Sequence, residues 1–354
     1  MQKRVLTGIT IFTAAVTAAL ILLLFAVPNL HTYARTVSNQ VKESRAQSVL
    51  SLLQQNPDIV SVGGSSGEVA GGQLRMDLPA DVSTDSVSVT EDYLDRTIEL
   101  EIPGLSQNYF YDFPMIGSVD HIENITYECE DGIGVIDITT DSIYELQMRA
   151  KDHYLYLDFL DPHQVYDKVV VIDAGHGGSA EGAIVGDVKE KDINLQILLQ
   201  LKELFDRCDL PIGVYYTRTE DVSVRYSQRV GLANDLKADL FLSIHNNSTS
   251  SGRISQINGA EVLYRVSDET GASREFAKNC LDGLLAETGA AGKGIVAGDE
   301  IYIIRSSQVP VALAEVGFMT NREELANLCD EEYQKRAAQG LYDAILKTLG
   351  YMQQ

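Results

Sequence analysis

Two histidines stand where an apolar run gives way to a loop. His176 follows the run of "VVVIDAGHGG", flanked by glycines that leave its imidazole uncovered, and His245 comes near the end of "DLFLSIHNN" in the same manner. If both runs are strands of one sheet, the two imidazoles meet at one edge, and two such borderline ligands suit zinc. A carboxylate is the expected third ligand. "KEKDINL" supplies Glu190 at the start of a helix, where the helix dipole favours an anion. Three protein ligands leave the fourth zinc position to water, which is the catalytic arrangement. Chemistry of that kind hydrolyses a carbonyl compound. It needs a group that takes a proton from the water and returns it to the leaving amine. Glu315, the lone carboxylate of "VPVALAEVGFMTN", is the candidate, because burial beside a metal tunes a glutamate for proton transfer.

Plainer roles stay open for each residue. A histidine after a strand is often a hydrogen-bonded loop residue, and Glu190 serves equally well as a helix-end charge paired with Lys189 or Lys191. "GHGG" is not GxGxxG and no GK[ST] follows it, so a phosphate cradle is not indicated. His31, His121, His153 and His163 lie in no comparable context.

The elements that must position these groups begin near residue 166. There the pattern alternates strand and helix, with strands expected at "KVVVIDAG", "IGVYYTR", "DLFLSIHNN", "GAEVLYRV", "EIYIIRS" and "VPVALAEVGF". "EKDINLQILLQLKELFDRC" puts Ile193, Ile197, Leu201, Leu204 and Phe205 on one helical face. The spacing predicts an α/β domain over residues 166–354, a mostly parallel twisted sheet flanked by helices, with ligands bound at the carboxyl ends of its strands. Residues 73–162 read instead with period two, in "QLRMDL", "SVSVT", "RTIELEI", "GVIDITT", "YELQM" and "HYLYLDF", and predict a small all-β domain.

Upstream, residues 29–72 read as a stalk that ends in the flexible "GGSSGEVAGG". Residues 5–27 form a stretch of 23 without a charge, preceded by Lys3 and Arg4. As a helix that stretch is about 34 Å long, enough to cross a bilayer and longer than a signal-peptide core. The expectation is an uncleaved transmembrane anchor in residues 1–28. The amino terminus then lies in the cytoplasm, and the rest of a single-pass cell-membrane protein lies outside it.

Composition narrows the partners. With 28 basic and 51 acidic residues the net charge is −23, which argues against a nucleic-acid backbone as ligand. Between residues 76 and 148 the only lysine or arginine is Arg96. Four cysteines without CxxC spacing indicate neither a zinc ribbon nor a disulfide framework.

Taken together and in order, "VVVIDAGHGG", "EKDINL", "RVGLANDLKADLFLSIHNN" and "VPVALAEVGFMTNREE" resemble the catalytic domain of the zinc-dependent N-acetylmuramoyl-L-alanine amidases of bacterial cell walls, over residues 168–350. The resemblance implies that His176, Glu190 and His245 bind zinc and that Glu315 is the catalytic acid/base. The substrate it implies is peptidoglycan, cut at the amide between the lactyl group of N-acetylmuramic acid and L-alanine. "VTEDYLDRTIELEIPG" and its neighbouring strands are similar to the AMIN-type β domain that precedes some of these amidases; a generic wall-facing β domain is the alternative. Two positions depart from the family's pattern. Lys293 in "AGKGIVAG" stands where many relatives carry arginine, and Asn246 stands where a small residue is usual, either to reach substrate or to cap a turn. The loop between His245 and Glu261 is short, so the site is expected to be open unless a protein partner covers it. Competing readings are a non-catalytic wall-binding relative and a zinc peptidase that cuts within the stem peptide.

Overall fold

The computed structural model describes residues 73–352. Its first part is built from eight strands: β1 (Leu74–Asp77), β2 (Ser88–Asp92), β3 (Thr97–Pro103), β4 (Ile116–Gly117), β5 (Ile122–Glu130), β6 (Ile133–Thr140), β7 (Glu145–Lys151) and β8 (Tyr154–Leu160). They form two four-stranded antiparallel sheets, ordered β4-β1-β8-β7 and β2-β3-β6-β5. Period-two patterning decides what each strand buries. Leu155, Leu157 and Phe159 of β8 point inward, as do Ile98, Leu100 and Ile102 of β3 and Ile136 and Ile138 of β6, and all join one core. β5 was not among the expected strands. It is an edge strand in which Ile125 alone is buried, so its sequence carries almost no alternation. A short helix α1 (Tyr109–Asp112) closes the end of this core, and α2 (Pro162–Val165), capped by Asp161, leads out of it.

The second part is a six-stranded sheet. Its strands are β9 (Lys168–Ala174), β12 (Ile212–Tyr216), β13 (Leu240–Asn247), β14 (Ala260–Tyr264), β15 (Gly292–Ala297) and β16 (Val311–Phe318), in the order β12-β9-β13-β16-β14-β15. A two-residue hairpin of β10 (Ile184–Val185) and β11 (Val188–Lys189) stands apart from it. Every pairing in the sheet is parallel except β14 with β16, so the mostly parallel arrangement holds. β9, β13 and β16 are buried almost throughout, as strands covered on both faces must be. On one face Val170 and Ile172 share a core with buried residues of α3 (Glu190–Asp206), α5 (Ala272–Thr288) and α8 (Glu331–Thr348). On the other, Val169 and Val171 pack against α4 (Tyr226–Asp235) and α6 (Tyr302–Ser306), while α7 (Arg322–Leu328) follows β16. α5 and α8 cross backbone to backbone at Gly283 and Gly340, where a Cβ on either glycine would lie 2.2 or 2.4 Å from the carbonyl oxygen of the other.

Two expectations are corrected here. "EIYIIRS" is not a strand: Tyr302–Ser306 form α6, which buries Ile303 and Ile304. The strand lies earlier, in "GKGIVA", where glycines mask its character and an edge position tolerates them. The placement as a single-pass membrane protein is corrected as well. The proposed anchor and stalk lie outside the described residues, and among the described residues no helix is long and apolar enough to cross a membrane. Among the described residues the longest helix, α8, packs an apolar stripe against α3 and α5 and keeps Glu331, Glu332, Lys335, Arg336, Asp343 and Lys347 along its length.

Candidate metal centre

At its carboxyl end β9 runs into Gly175 and His176. The backbone of His176 is left-handed, with φ of 63°, which turns the imidazole back over the sheet edge. Gly175 is required by proximity, because a Cβ there would lie 2.1 Å from the His245 ring. His245 sits near the end of β13, the strand beside β9. The two rings meet edge to face with centroids 4.8 Å apart.

Glu190 opens α3 directly after the β10–β11 hairpin, with its side chain buried beneath both rings. Its Oε1 lies 3.1 Å from His176 Nε2 and 2.9 Å from His245 Nδ1. Its Oε2 accepts from the Ala183 backbone N–H at 2.8 Å. Gly182, at φ 70°, makes room for this, since a Cβ there would come within 2.5 Å of Oε2. Burial alone would raise the Glu190 carboxyl, yet the two imidazoles outweigh it and hold the group below the usual carboxylate range. The alternative partners of Glu190 are engaged elsewhere: Lys189 with Glu181 and Lys191 with Asp221.

One candidate ligand atom from each of His176, Glu190 and His245 falls within 4.8 Å of the other two. Two imidazoles and one carboxylate are a donor set that zinc uses when a coordination position is kept for chemistry. These residues fit such an ion, and no metal geometry is needed to see that they converge.

Glu315 lies on β16, in register with His245 on one side and with Glu261 of β14 on the other. Its Oε2 is shut away from solvent and has no hydrogen-bond partner. Burial first, then the charges of Glu190 and Glu261, push its carboxyl up to about 8. Glu261 itself accepts from Asn247 Nδ2 at 2.6 Å. The edge therefore holds a site able to bind a cation and, one strand away, a carboxyl able to exchange a proton near neutral pH.

Beneath the site lies a set of polar groups that sequence reading missed. Asp173, fully buried on β9, accepts from Thr217 Oγ1 at 2.5 Å and Ser243 Oγ at 2.6 Å and is paired with Arg229. Burial works to raise its carboxyl, but the Arg229 charge and these two hydroxyls carry it below the ordinary range. Arg229 also donates to the carbonyls of Ala174 and His176. Arg218 Nε donates to Ala174 O at 2.9 Å and its Nη2 to Gly175 O at 3.0 Å, so all three carbonyls of the ligand-bearing turn are held by guanidinium groups. The available signal was a charged residue inside an apolar strand, in "VVVIDAG", and an arginine on the covered side of α4.

Asn246 neither faces outward nor caps a turn. It is buried, and its Nδ2 donates to Asn194 Oδ1 at 2.8 Å. Lys293 holds its ammonium 5.3 Å from the Phe318 ring centroid. Away from the centre, His121 contacts Tyr144, His153 lies near Asp77, and His163 reaches the Leu236 carbonyl. His31 lies outside the described residues.

Comparison with known proteins gives a consistent picture. A family model described as Amidase_3, N-acetylmuramoyl-L-alanine amidase, matches residues 170–347. The uncharacterized protein YqiI of Bacillus subtilis is 35% identical over 179 residues, which cover 50% of this chain and 83% of YqiI. The N-acetylmuramoyl-L-alanine amidase LytC of the same organism is 32% identical over 51% of this chain, a stretch that spans 35% of LytC. Among solved structures, the catalytic domain of CwlV, an N-acetylmuramoyl-L-alanine amidase from Bacillus (Paenibacillus) polymyxa var. colistinus, is 38% identical. That alignment covers 51% of this chain and 98% of the CwlV domain, with a TM-score of 0.48.

Proposed function

Because this chain belongs to the Amidase_3 family, N-acetylmuramoyl-L-alanine amidase, we propose that it hydrolyses the amide between N-acetylmuramic acid and L-alanine in peptidoglycan, with His176, Glu190 and His245 holding zinc and Glu315 moving the proton. Within this reading residues 166–354 are the catalytic domain, and residues 73–162 are a β domain of AMIN type that places it against the wall. One observation carries the proposal: donor atoms from three separate elements meet within 4.8 Å at the sheet edge that Glu315 shares.

Zinc, when bound, supplies a Lewis acid that polarises a carbonyl oxygen and makes water nucleophilic near neutral pH. The chain does the rest. The Glu315 carboxylate takes a proton from the water that attacks the amide carbonyl and delivers it to the nitrogen as the C–N bond breaks, leaving a free amine on L-alanine. Its raised pKa reflects in part the facing charge of Glu190. Neutralising that charge draws Glu315 back toward the working pH, where it both accepts and donates well. Glu190 and the imidazoles are kept oriented by Ala183, Asn194 and the guanidinium-bound turn.

The test separates the two glutamates. Glu190→Ala and His176→Ala are expected to lose bound zinc together with activity. Glu315→Gln is expected to keep about one zinc per chain while turnover falls by about 10² to 10⁴-fold, the usual loss of general acid–base catalysis. Metal analysis beside rates on one muropeptide gives both readouts. A Glu315→Gln protein without zinc, or a fully active Glu190→Ala protein, contradicts the assignment, and a product cut within the stem peptide identifies a peptidase instead.

A further inference from the structure

The centre draws together three segments of chain that are distant in sequence, and one buried side chain touches all three. Asn194 lies one turn after Glu190 on α3, hence on the same helical face. Its Nδ2 donates to the Gly175 carbonyl, next to His176, at 3.1 Å and lies 3.4 Å from Glu190 Oε1. Its Oδ1 accepts from Nδ2 of Asn246, the residue after His245. We infer that Asn194 is a positioning residue of the metal centre, holding the three ligand-bearing segments at the separation that sets zinc affinity. The inference rests on the zinc reading above.

A carboxamide suits this place because it donates and accepts from one planar group. Aspartate, of the same shape, would turn lone pairs toward the Gly175 carbonyl and the Glu190 carboxylate. Leucine or alanine would leave Asn246 Nδ2 buried with no acceptor, and a buried unpaired donor is costly. Asn246 Oδ1 has no partner, so that side chain is oriented by its bond to Asn194. Arg218 supports the arrangement but spans less of it. Its Nη2 donates to Gly175 O at 3.0 Å and Lys191 O at 2.9 Å, tying the His176 turn to α3 without reaching β13. Asn194 adds a buried side-chain tie from α3 to the His245 strand, beside the Gly175 N–H to Ile244 carbonyl bond at 3.0 Å and the Asn246 N–H to Glu190 Oε1 bond at 3.3 Å. Without it the backbone ties between β9 and β13 remain, but α3, which carries Glu190, loses its side-chain bonds to the Gly175 carbonyl and to Asn246.

The experiment measures zinc affinity, by competition with a chromophoric chelator, and the melting temperature of the metal-free protein. It compares the full wild-type chain with Asn194→Ala and Leu198→Ala. Leu198 is fully buried on the same helix, within the apolar core. Asn194→Ala is expected to raise the zinc Kd by about 10 to 100-fold, the usual effect of removing a group that orients metal ligands. Leu198→Ala is expected to lower the melting temperature and leave the Kd unchanged. An unchanged Kd for Asn194→Ala overturns the inference, as does an equal rise for Leu198→Ala, which would mean that any loosening of α3 has this effect. Should Asn194→Ala fail to fold, Asn246→Ala removes only the donor to Oδ1. A smaller rise is then expected, and no rise is contrary. A wild-type chain that binds no zinc defeats the functional reading itself, and that outcome is seen before any variant is compared.

Discussion

The two parts of the molecule treat polar groups in opposite ways. Among the described residues of the antiparallel β part, Thr140 is the one polar side chain that is buried; its acidic groups stand on the outward faces of alternating strands. The α/β part buries Asp173, Glu190, Lys191, Asn194, Arg218 and Arg229, each of which lies on or hydrogen-bonds to a segment that carries a candidate metal ligand. Burying a charge is unfavourable unless it is paired and hydrogen-bonded. A region that does so repeatedly at one sheet edge is organised around that edge. The β part shows what a chain of similar apolar content does when only packing is asked of it.

The largest effect that can sharpen this contrast is at Arg229. Arg229→Ala leaves the fully buried Asp173 carboxylate without its cation, and breaking a buried pair in this way costs about 3–5 kcal/mol. Denaturant titration of the variant should show a loss of that size, together with weaker zinc binding, because the same guanidinium holds the His176 carbonyl.

In the β part the corresponding blow is to packing alone. Leu100→Ala, in the fully buried centre of β3, should cost about 2–5 kcal/mol and leave zinc content and muropeptide hydrolysis unchanged. If hydrolysis falls with it, the two parts act as one unit and the contrast drawn here is broken.

A third effect appears only over a pH window. In the metal-free protein the Glu315 carboxyl is raised from 4.5 to about 8. Its contribution to stability is therefore fully present below about pH 4.5 and is lost as pH climbs through about 8. Glu315→Gln carries no titrating group there. The stability difference, wild type minus Glu315→Gln, should fall steadily between these limits when melting temperatures are compared. A flat difference would mean that Glu315 is solvated.

The smallest effect is expected where the two parts touch. Arg96 and Asp235 form an ion pair of which each side chain is more than a third exposed, so Arg96→Ala should cost no more than about 1 kcal/mol. A larger loss in denaturant titration would show that the contact orients one part on the other.

How much of this was legible beforehand follows from which interactions are local. His176, Glu190, His245 and Glu315 stand out in the sequence because each is a polar residue near the end, at the start or alone within an element whose apolar pattern is strong. β9, β13 and β16 were visible for the same reason. The partners of Asp173 were not, since Thr217, Arg229 and Ser243 are 44 to 70 residues away and meet it only through strand register and the docking of α4. Asn194 reads as an ordinary helical residue until β13 lies beside α3. The exchange of "EIYIIRS" for "GKGIVA" has a local cause: isoleucines suit a buried helix face as well as a strand, and glycines hide an edge strand.

The glycine crossing of α5 and α8 has a consequence for how this chain can vary through descent. Where two side chains meet in a packed contact, changes that conserve total volume are tolerated best, so harm done by enlarging one can be relieved by trimming the other. Gly283 and Gly340 already lack side chains, and each approaches the backbone of its partner. A mutation at either position has no suppressor at the other. In a genetic screen the pair should behave as two sites that revert but are not compensated in place, with any relief coming from changes that shift α8 as a whole.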